Sequence, residues 1–321
     1  MQFYTFKMEA IMDNFWERSI PFYNIDIKEI TVIFTEYDKH LEILNYSPIN
    51  VGCRNSNYKV HTNRGYFLLR ICPINDISHK KERTINELFY GHLNVPKLLF
   101  VSEDNITQRI CLIYEYIHGE SMQEMLVQRG KLEDSIIVQV TESASYIHNC
   151  NITNKGVFDN DYPPFLTWYD LFLEKEIITE RIGKEIKERV KRLISHKKRD
   201  LYEIDKYISF THSDFRPANM LIDKNNSIWI VDWEFSGFGH SLGDIGQFFR
   251  YENNFSQKQI KIFQQVYNNS SNRSLPSDWY KLSKLRDLIN PLQMLGAKEN
   301  LPQKYTDLKD IVLNTLAFFG Y

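Results

Sequence analysis

Four cysteines, Cys53, Cys72, Cys111 and Cys150, are scattered singly through 321 residues, with no CxxC pair and no nearby histidine at metal-ligand spacing. That scarcity gives no support to a thiolate metal centre or a disulfide framework, and core thiols are the expectation. Thirteen glycines and ten prolines, spread along the chain, are too few for a collagen-like or linker-dominated architecture. Apolar runs such as residues 66–69 are far too short to span a bilayer, and residues 1–10 have no basic start leading into an apolar stretch. The expectation is an unprocessed cytoplasmic chain with no membrane partner. An excess of one charge is missing as well. Thirty-nine Lys plus Arg stand against 41 Asp plus Glu, net −2, so no global field calls for nucleic acid.

What is present is an ordinary soluble composition, 43% hydrophobic and 25% charged, in a chain long enough for two lobes at about 150 residues each. The first part reads as strands at residues 41–49, 58–61, 66–72, 98–101 and 109–116, with a helix spaced on Ile85, Leu88, Phe89 and Leu93 and ended by Pro96. The remainder reads as helices: 134–149, one long helix from Thr167 to about Ser195, then 256–267, 278–289 and 305–319. A hairpin of residues 221–223 and 227–232 around Lys224-Asn225-Asn226 interrupts them. Residues 184–199 carry eight basic residues and two acidic ones. With no interleaved aromatics to stack bases, the reading is a solvated helix face. We place the lobe boundary near Ile117, giving residues 1–117 and 118–321.

The chemistry concentrates in His212-Ser213-Asp214-Phe215-Arg216-Pro217-Ala218-Asn219 and, thirteen residues on, Asp232-Trp233-Glu234. Two carboxylates and an amide at the ends of a hairpin suit a Mg-nucleotide site. One Asp accepts the attacking hydroxyl's proton, while Asn and the second Asp offer hard oxygen ligands to Mg²⁺. A purely structural Asp214 is the competing reading, weakened by the joint spacing.

These segments resemble the HGDxxxxN and D(W/F)E signatures of the aminoglycoside phosphotransferase family, relatives of the protein kinases, and the likeness runs from about Tyr46 to Phe249. The resemblance implies an α+β, two-lobed protein kinase-like fold. Its N-lobe would be a five-stranded antiparallel sheet with one helix, and its C-lobe mainly helical. It assigns Asp214 and Arg216 to catalysis, and Asn219 and Asp232 to Mg²⁺. Gly52 and Asn55 match the nucleotide loop, and Arg70 stands in a Leu-Arg pair where protein kinases place their phosphate-binding Lys. Its ion-pair partner would be Glu82, with Glu87 as the alternative. Residues Tyr114, Glu115, Tyr116 and Ile117 resemble the hinge that binds a purine, with Tyr114 at the inner end of the base pocket. His212 is expected to anchor the loop, Asp244 to brace it, and His240 to be solvated. An ordinary protein kinase is disfavoured by Trp-Glu after Asp232 and by the lack of an Ala-Pro-Glu segment.

The implied reaction moves the γ-phosphoryl of ATP or GTP to a hydroxyl of a small molecule, aminoglycoside first, with Asp159, Asp161, Glu234 and Glu252 as acids for ammonium groups. The alternatives are a kinase for choline, a sugar or another metabolite, with Tyr162, Trp168 and Trp233 as cation-holding rings, or a catalytically silent nucleotide-binding relative, which intact Asp214, Asn219 and Asp232 argue against.

Overall fold

In a computed structural model, which describes residues 16–152, 156–158 and 164–321, the chain forms the two-lobed α+β arrangement that the resemblance implies. The first lobe opens with α1 (Ile27–Tyr37), a helix the sequence reading did not include. Asp26 and Glu29 form a capping box there: the Asp26 side chain accepts from the N–H groups of Lys28 and Glu29, and Glu29 reaches back to the Asp26 N–H. Among its described residues the N-lobe therefore holds two helices rather than one. Strands β1 (Ile43–Ile49), β2 (Ser56–Thr62), β3 (Gly65–Ile71), β4 (Leu98–Ser102) and β5 (Cys111–Glu115) make one antiparallel sheet in the order β1-β2-β3-β5-β4, with α2 (Ser78–Phe89) between β3 and β4. Alternation along β2 and β3 divides the sheet into two faces. Val60, Leu69, Ile71 and Ile113 pack on Ile30, Ile33 and Phe34 of α1, whereas Arg70 and Tyr114 turn to the side of Glu82 on α2.

After residues 116–118 the second lobe begins with β6 (Gly119–Ser121), α3 (Met122–Arg129) and α4 (Asp134–Asn149). The expected long helix is instead three, α5 (Phe165–Leu173), α6 (Glu176–Ile182) and α7 (Lys184–His196). The break at Gly183, at φ +86°, leaves the apolar spacing almost in phase, so periodicity alone could not detect it. There follow α8 (Lys198–Ile204), β7 (Ile208–Thr211), β8 (Met220–Asp223), β9 (Ile228–Ile230), β10 (Gly237–His240), α9 (Ser241–Phe248), α10 (Gln257–Ser270), α11 (Trp279–Asp287), α12 (Ile289–Leu295) and α13 (Pro302–Phe318). Strands pair as β6-β8-β9 and β10-β7.

One large core runs under the helices and reaches Ile85 and Phe89 of α2. The helix α9 is buried along its whole length, and at Gly246 it meets α11 so closely that an added Cβ would lie 2.3 Å from the Ser283 carbonyl oxygen. The four cysteines are free, and no described helix is long and apolar enough to cross a membrane.

Candidate active site

Strand β7 delivers the chain to a loop, residues 212–219, whose backbone is held from α9. The buried Asp244 carboxylate accepts from the N–H groups of His212 at 2.8 Å and Ser213 at 2.9 Å, and Gln247 brackets the next turn through Phe215 N–H and Ser213 O. The His148 ring links Asp244 to the Tyr267 hydroxyl. His212 anchors rather than reacts. Its Nε2–H donates to Val231 O, its Nδ1 accepts from Asp214 N–H, and burial holds its pKa below the ordinary value. Ser213, at φ +64°, is held in the left-handed region by these bonds.

Asp214 emerges from this loop into a fork with Arg216, at 2.5 Å from Nε and 2.9 Å from Nη2, and accepts from Asn219 Nδ2 at 2.7 Å. Burial and then the nearby Asp232 push its carboxyl up to about 7, against the pull of Asn219 and Arg250. The Asn219 amide nitrogen is spent on Asp214, which leaves its oxygen as the end for a cation. Asp232, just past β9 and also left-handed at φ +67°, has a buried Oδ1 with no hydrogen bond, 3.2 Å from Arg70 Nη1. Among the described residues no three His, Cys, Asp or Glu side chains converge on one point. An Asp232 oxygen short of a hydrogen bond and the Asn219 amide oxygen are still a donor set that fits Mg²⁺, which takes one or two protein oxygens and completes its shell with phosphates and water.

Across the cleft, Arg70 of β3 donates from Nη1 to both oxygens of Glu82, at 2.9 and 3.0 Å, and the Tyr114 hydroxyl also bonds Glu82. Glu87, the other candidate partner, is exposed. The β3–β5 register pairs Leu68 with Tyr114 and Arg70 with Leu112, so Tyr114, not Ile113, shares the face of Arg70. Farther along, the Glu115 carboxylate accepts from Lys97 N–H, and Tyr116 and Ile117 are half-buried where the chain leaves the sheet. The nucleotide loop turns at Gly52, φ +98°, and Asn55 Nδ2 donates to Glu234 Oε2 at 3.1 Å.

Other candidates fall elsewhere. Glu234 bonds Asn55 and pairs with Arg54, its carboxyl pushed up to about 7 by burial and by Asp232, so it faces the loop of residues 52–55. Asp159, Asp161 and Tyr162, and the Glu252 side chain, lie outside the described residues. Trp168 packs on Phe165 and His240 with the Arg286 guanidinium 5.3 Å from its ring centre, and Trp233 is buried against Phe89 and His212. The expectation of a solvated His240 is corrected. It is buried, its Nε2 bonds Asp205 Oδ1, its Nδ1 accepts from Arg286 Nε, and burial together with Arg286 pushes it down to about 3, leaving it neutral.

The sequence reading missed a second wall of the cleft, built around Asp214 by Trp16, Arg250 and α13. Arg250 forks onto Asp287 at 2.7 and 2.8 Å, Asp307 of α13 accepts from Trp16 Nε1 and the Tyr251 hydroxyl, and Arg216 and Lys304 lie over the Trp16 ring. Lys304 is electrostatically linked to Asp214 and Arg216. Residues 16 and 307 are too far apart in the chain for any motif to join them. Arg250-Tyr251, directly after the helix bearing Asp244, offered the only local signal.

Comparison with known proteins agrees with this geometry. Residues 45–282, well over half of the chain, match the model of the phosphotransferase enzyme family. No curated protein matches the sequence. Among solved structures, the chain is similar to aminoglycoside phosphotransferase APH(4)-Ia at 13% identity, covering 91% of this chain and 99% of that one, with a TM-score of 0.66. Spectinomycin phosphotransferase APH(9)-Ia, solved with ADP and spectinomycin, aligns at 12% identity over 91% and 99%, TM-score 0.64. Choline kinase LicA from Streptococcus pneumoniae aligns at 15% over 89% and 98%, TM-score 0.61. These neighbours share the two-lobed, kinase-like fold.

Proposed function

Because the chain belongs to the phosphotransferase enzyme family, we propose that it transfers the γ-phosphoryl group of ATP or GTP to a hydroxyl of a small molecule. The observation that carries this reading is where polar bonding is incomplete. Of the nine buried side-chain polar atoms without a hydrogen bond among the described residues, five line the nucleotide side of the cleft: Arg54 Nε, Asn55 Oδ1, Asn57 Oδ1, Arg70 Nε and Asp232 Oδ1. Two of the five, Arg54 Nε and Asp232 Oδ1, touch an ion-pair partner at 3.5 and 3.2 Å without a hydrogen bond. Buried polar atoms short of hydrogen bonds cost stability and are kept where a ligand completes them.

In this reading Arg70, oriented by Glu82, binds the phosphates. Loop residues 52–57 cover them, with Gly52 and Asn55 at the turn. The hinge at Tyr114, Glu115, Tyr116 and Ile117 takes the purine. Asn219 and Asp232 hold Mg²⁺, which supplies charge neutralisation when bound. Asp214 accepts the proton of the acceptor hydroxyl as that oxygen bonds to the γ-phosphorus and the bond to the departing nucleoside diphosphate breaks. Arg216, two residues on, releases Asp214 and neutralises charge on the transferred group. The acceptor placed first is an aminoglycoside, by family likeness alone. No feature of the described residues favours the choline-type cage. The test is nucleoside diphosphate release with Mg²⁺ over a panel of aminoglycosides, choline, ethanolamine and sugars, each with Asp214→Ala as control. A wild type that binds Mg-nucleotide but phosphorylates nothing in any panel would instead favour the silent relative.

A further inference from the structure

We infer that Arg18 is a positioning residue for the nucleotide loop, and that residues 16–23 form a strap tying that loop to the last helix of the chain. The inference deepens the phosphotransferase reading and rests on it.

At one end the strap is fixed to α13. The Glu17 carboxylate accepts from the N–H groups of Gln303 at 2.7 Å and Lys304 at 2.9 Å, two donors that a helix N-terminus leaves without partners of its own, and Trp16 Nε1 donates to Asp307 at 2.9 Å. At the other end the Arg18 guanidinium gathers three loop carbonyls. Nη1 donates to Gly52 O at 2.6 Å, and Nη2 to Arg54 O at 3.0 Å and Asn55 O at 2.8 Å. The carbonyl between them, Cys53 O, accepts from the N–H groups of Ser19 and Ile20 at 3.0 and 3.2 Å. Tyr23 N–H then bonds Ser56 Oγ and seats the strap on β2.

Four successive carbonyl oxygens, residues 52–55, are thus all taken up by the strap. Because each peptide unit is planar and trans, each of these contacts turns the N–H of the following residue the opposite way. A loop that presents N–H groups to phosphate oxygens needs its carbonyls occupied elsewhere, since a carbonyl dipole facing phosphate is repulsive. Side chains of the same loop are held by Glu234 through Asn55 and Arg54, so the loop is gripped from two directions. A guanidinium suits the strap side because its rigid fork reaches several acceptors at once; a lysine ammonium on a flexible stem is less well organised for this.

The test compares wild type, Arg18→Ala, Arg18→Lys and Glu17→Gln at equal thermal midpoint. Two readouts are used: titration of a fluorescent ATP analogue with Mg²⁺, and hydrogen exchange of amides 52–57 without nucleotide. Arg18→Ala should raise the nucleotide Kd about tenfold and speed exchange in the loop, the expected result of ordering several residues on binding rather than beforehand. Arg18→Lys should recover part of the loss. Glu17→Gln, which loosens only the α13 end, should shift both readouts in the same direction by less. Unchanged exchange in Arg18→Ala overturns the inference, and so does tighter nucleotide binding, which would make the strap a cover that nucleotide displaces. If the wild type binds no nucleotide, the phosphotransferase reading falls, while the exchange comparison separately decides whether the strap holds the loop.

Discussion

On the nucleotide wall of the cleft, Arg70 and Asp232 each keep a buried polar atom without a hydrogen bond, and burial drives the carboxyls of Asp214 and Glu234 up to about 7. On the second wall Asp287 takes a two-pronged bond from Arg250 and a third from Asn290, and Asp307 takes Trp16 and Tyr251; one Arg250 nitrogen is the exception to full pairing. Burial alone would raise Asp287 as it raises Asp214, yet the Arg250 charge and its hydrogen bonds hold Asp287 below its ordinary value. Asp214 is forked by an arginine as well, Arg216, and Asp307 is raised by burial, so what separates Asp214 from Asp287 is the neighbouring charge: Asp232 beside the first, Arg250 beside the second.

The largest expected effect is at Asp214. In Asp214→Ala, kcat should fall by about 10²–10⁴-fold, the usual contribution of a positioned general base, with nucleotide binding retained. Asp232→Ala should instead lose Mg-nucleotide binding. Rapid-quench turnover and calorimetric titration of both variants separate the two, and near-normal turnover in Asp214→Ala would remove that residue from catalysis.

A pair of substitutions sharpens the contrast between walls. Asp287→Ala leaves Arg250 buried without its ion-pair partner and should cost about 3–5 kcal/mol of unfolding free energy; Glu82→Ala strips Arg70 of its main partner but leaves Asp232 at 3.2 Å, so it should cost less. Only Glu82→Ala should also weaken nucleotide binding. Urea unfolding and nucleotide titration on the same samples check this, and equal loss of nucleotide affinity in both would erase the distinction.

The pH dependence has a definite sign. A base whose carboxyl is raised to about 7 is protonated, and unable to accept a proton, at lower pH. The value of kcat/KM should therefore fall about tenfold per pH unit below that point. Glu234→Gln should keep this limb, which assigns it to Asp214, whereas loss of the limb in that variant would assign it to Glu234.

The smallest effect concerns the purine. The Tyr114 ring lies beside Arg70 and Glu82; if the hinge proposed here takes the purine, the ring stands at the inner end of its pocket and GTP should serve at least as well as ATP. Tyr114→Ala should improve ATP by about 1–3 kcal/mol, and Tyr114→Phe, which keeps the ring, should not. Steady-state kcat/KM for both nucleotides decides it; a strong ATP preference unchanged in Tyr114→Ala would show that the ring is not the gate.

The nucleotide wall was legible in the sequence because its residues sit in short local patterns. Asp214, Asn219 and Asp232 span nineteen positions, whereas the common face of Arg70 and Tyr114 came only from the β3–β5 register. The second wall was not, because Trp16, Tyr251, Lys304 and Asp307 meet only through tertiary packing; the Trp16–Asp307 bond joins residues 291 positions apart. Gly183 shows a subtler limit. A helix break that preserves phase is invisible to periodicity, and the positive φ of one glycine was its only mark. The helix α1 was within reach, since Asp26 and Glu29 spell a capping box ahead of an apolar run.

The contact at Gly246 sets a tolerance for the whole reaction centre. The same short helix carries Asp244 two residues before it and Gln247 one residue after it, and those side chains fix the backbone from which Asp214 projects. With an added Cβ only 2.3 Å from a main-chain oxygen of α11, there is no flexible side chain to yield, so α9 itself would have to move. The height of Asp214, the proposed general base, is thus machined against a neighbouring helix with less than one carbon atom of clearance. Gly246→Ala, a change of a single methyl group, should lower kcat in the proposed reaction by tilting the platform on which Asp214 stands, with steady-state turnover as the check.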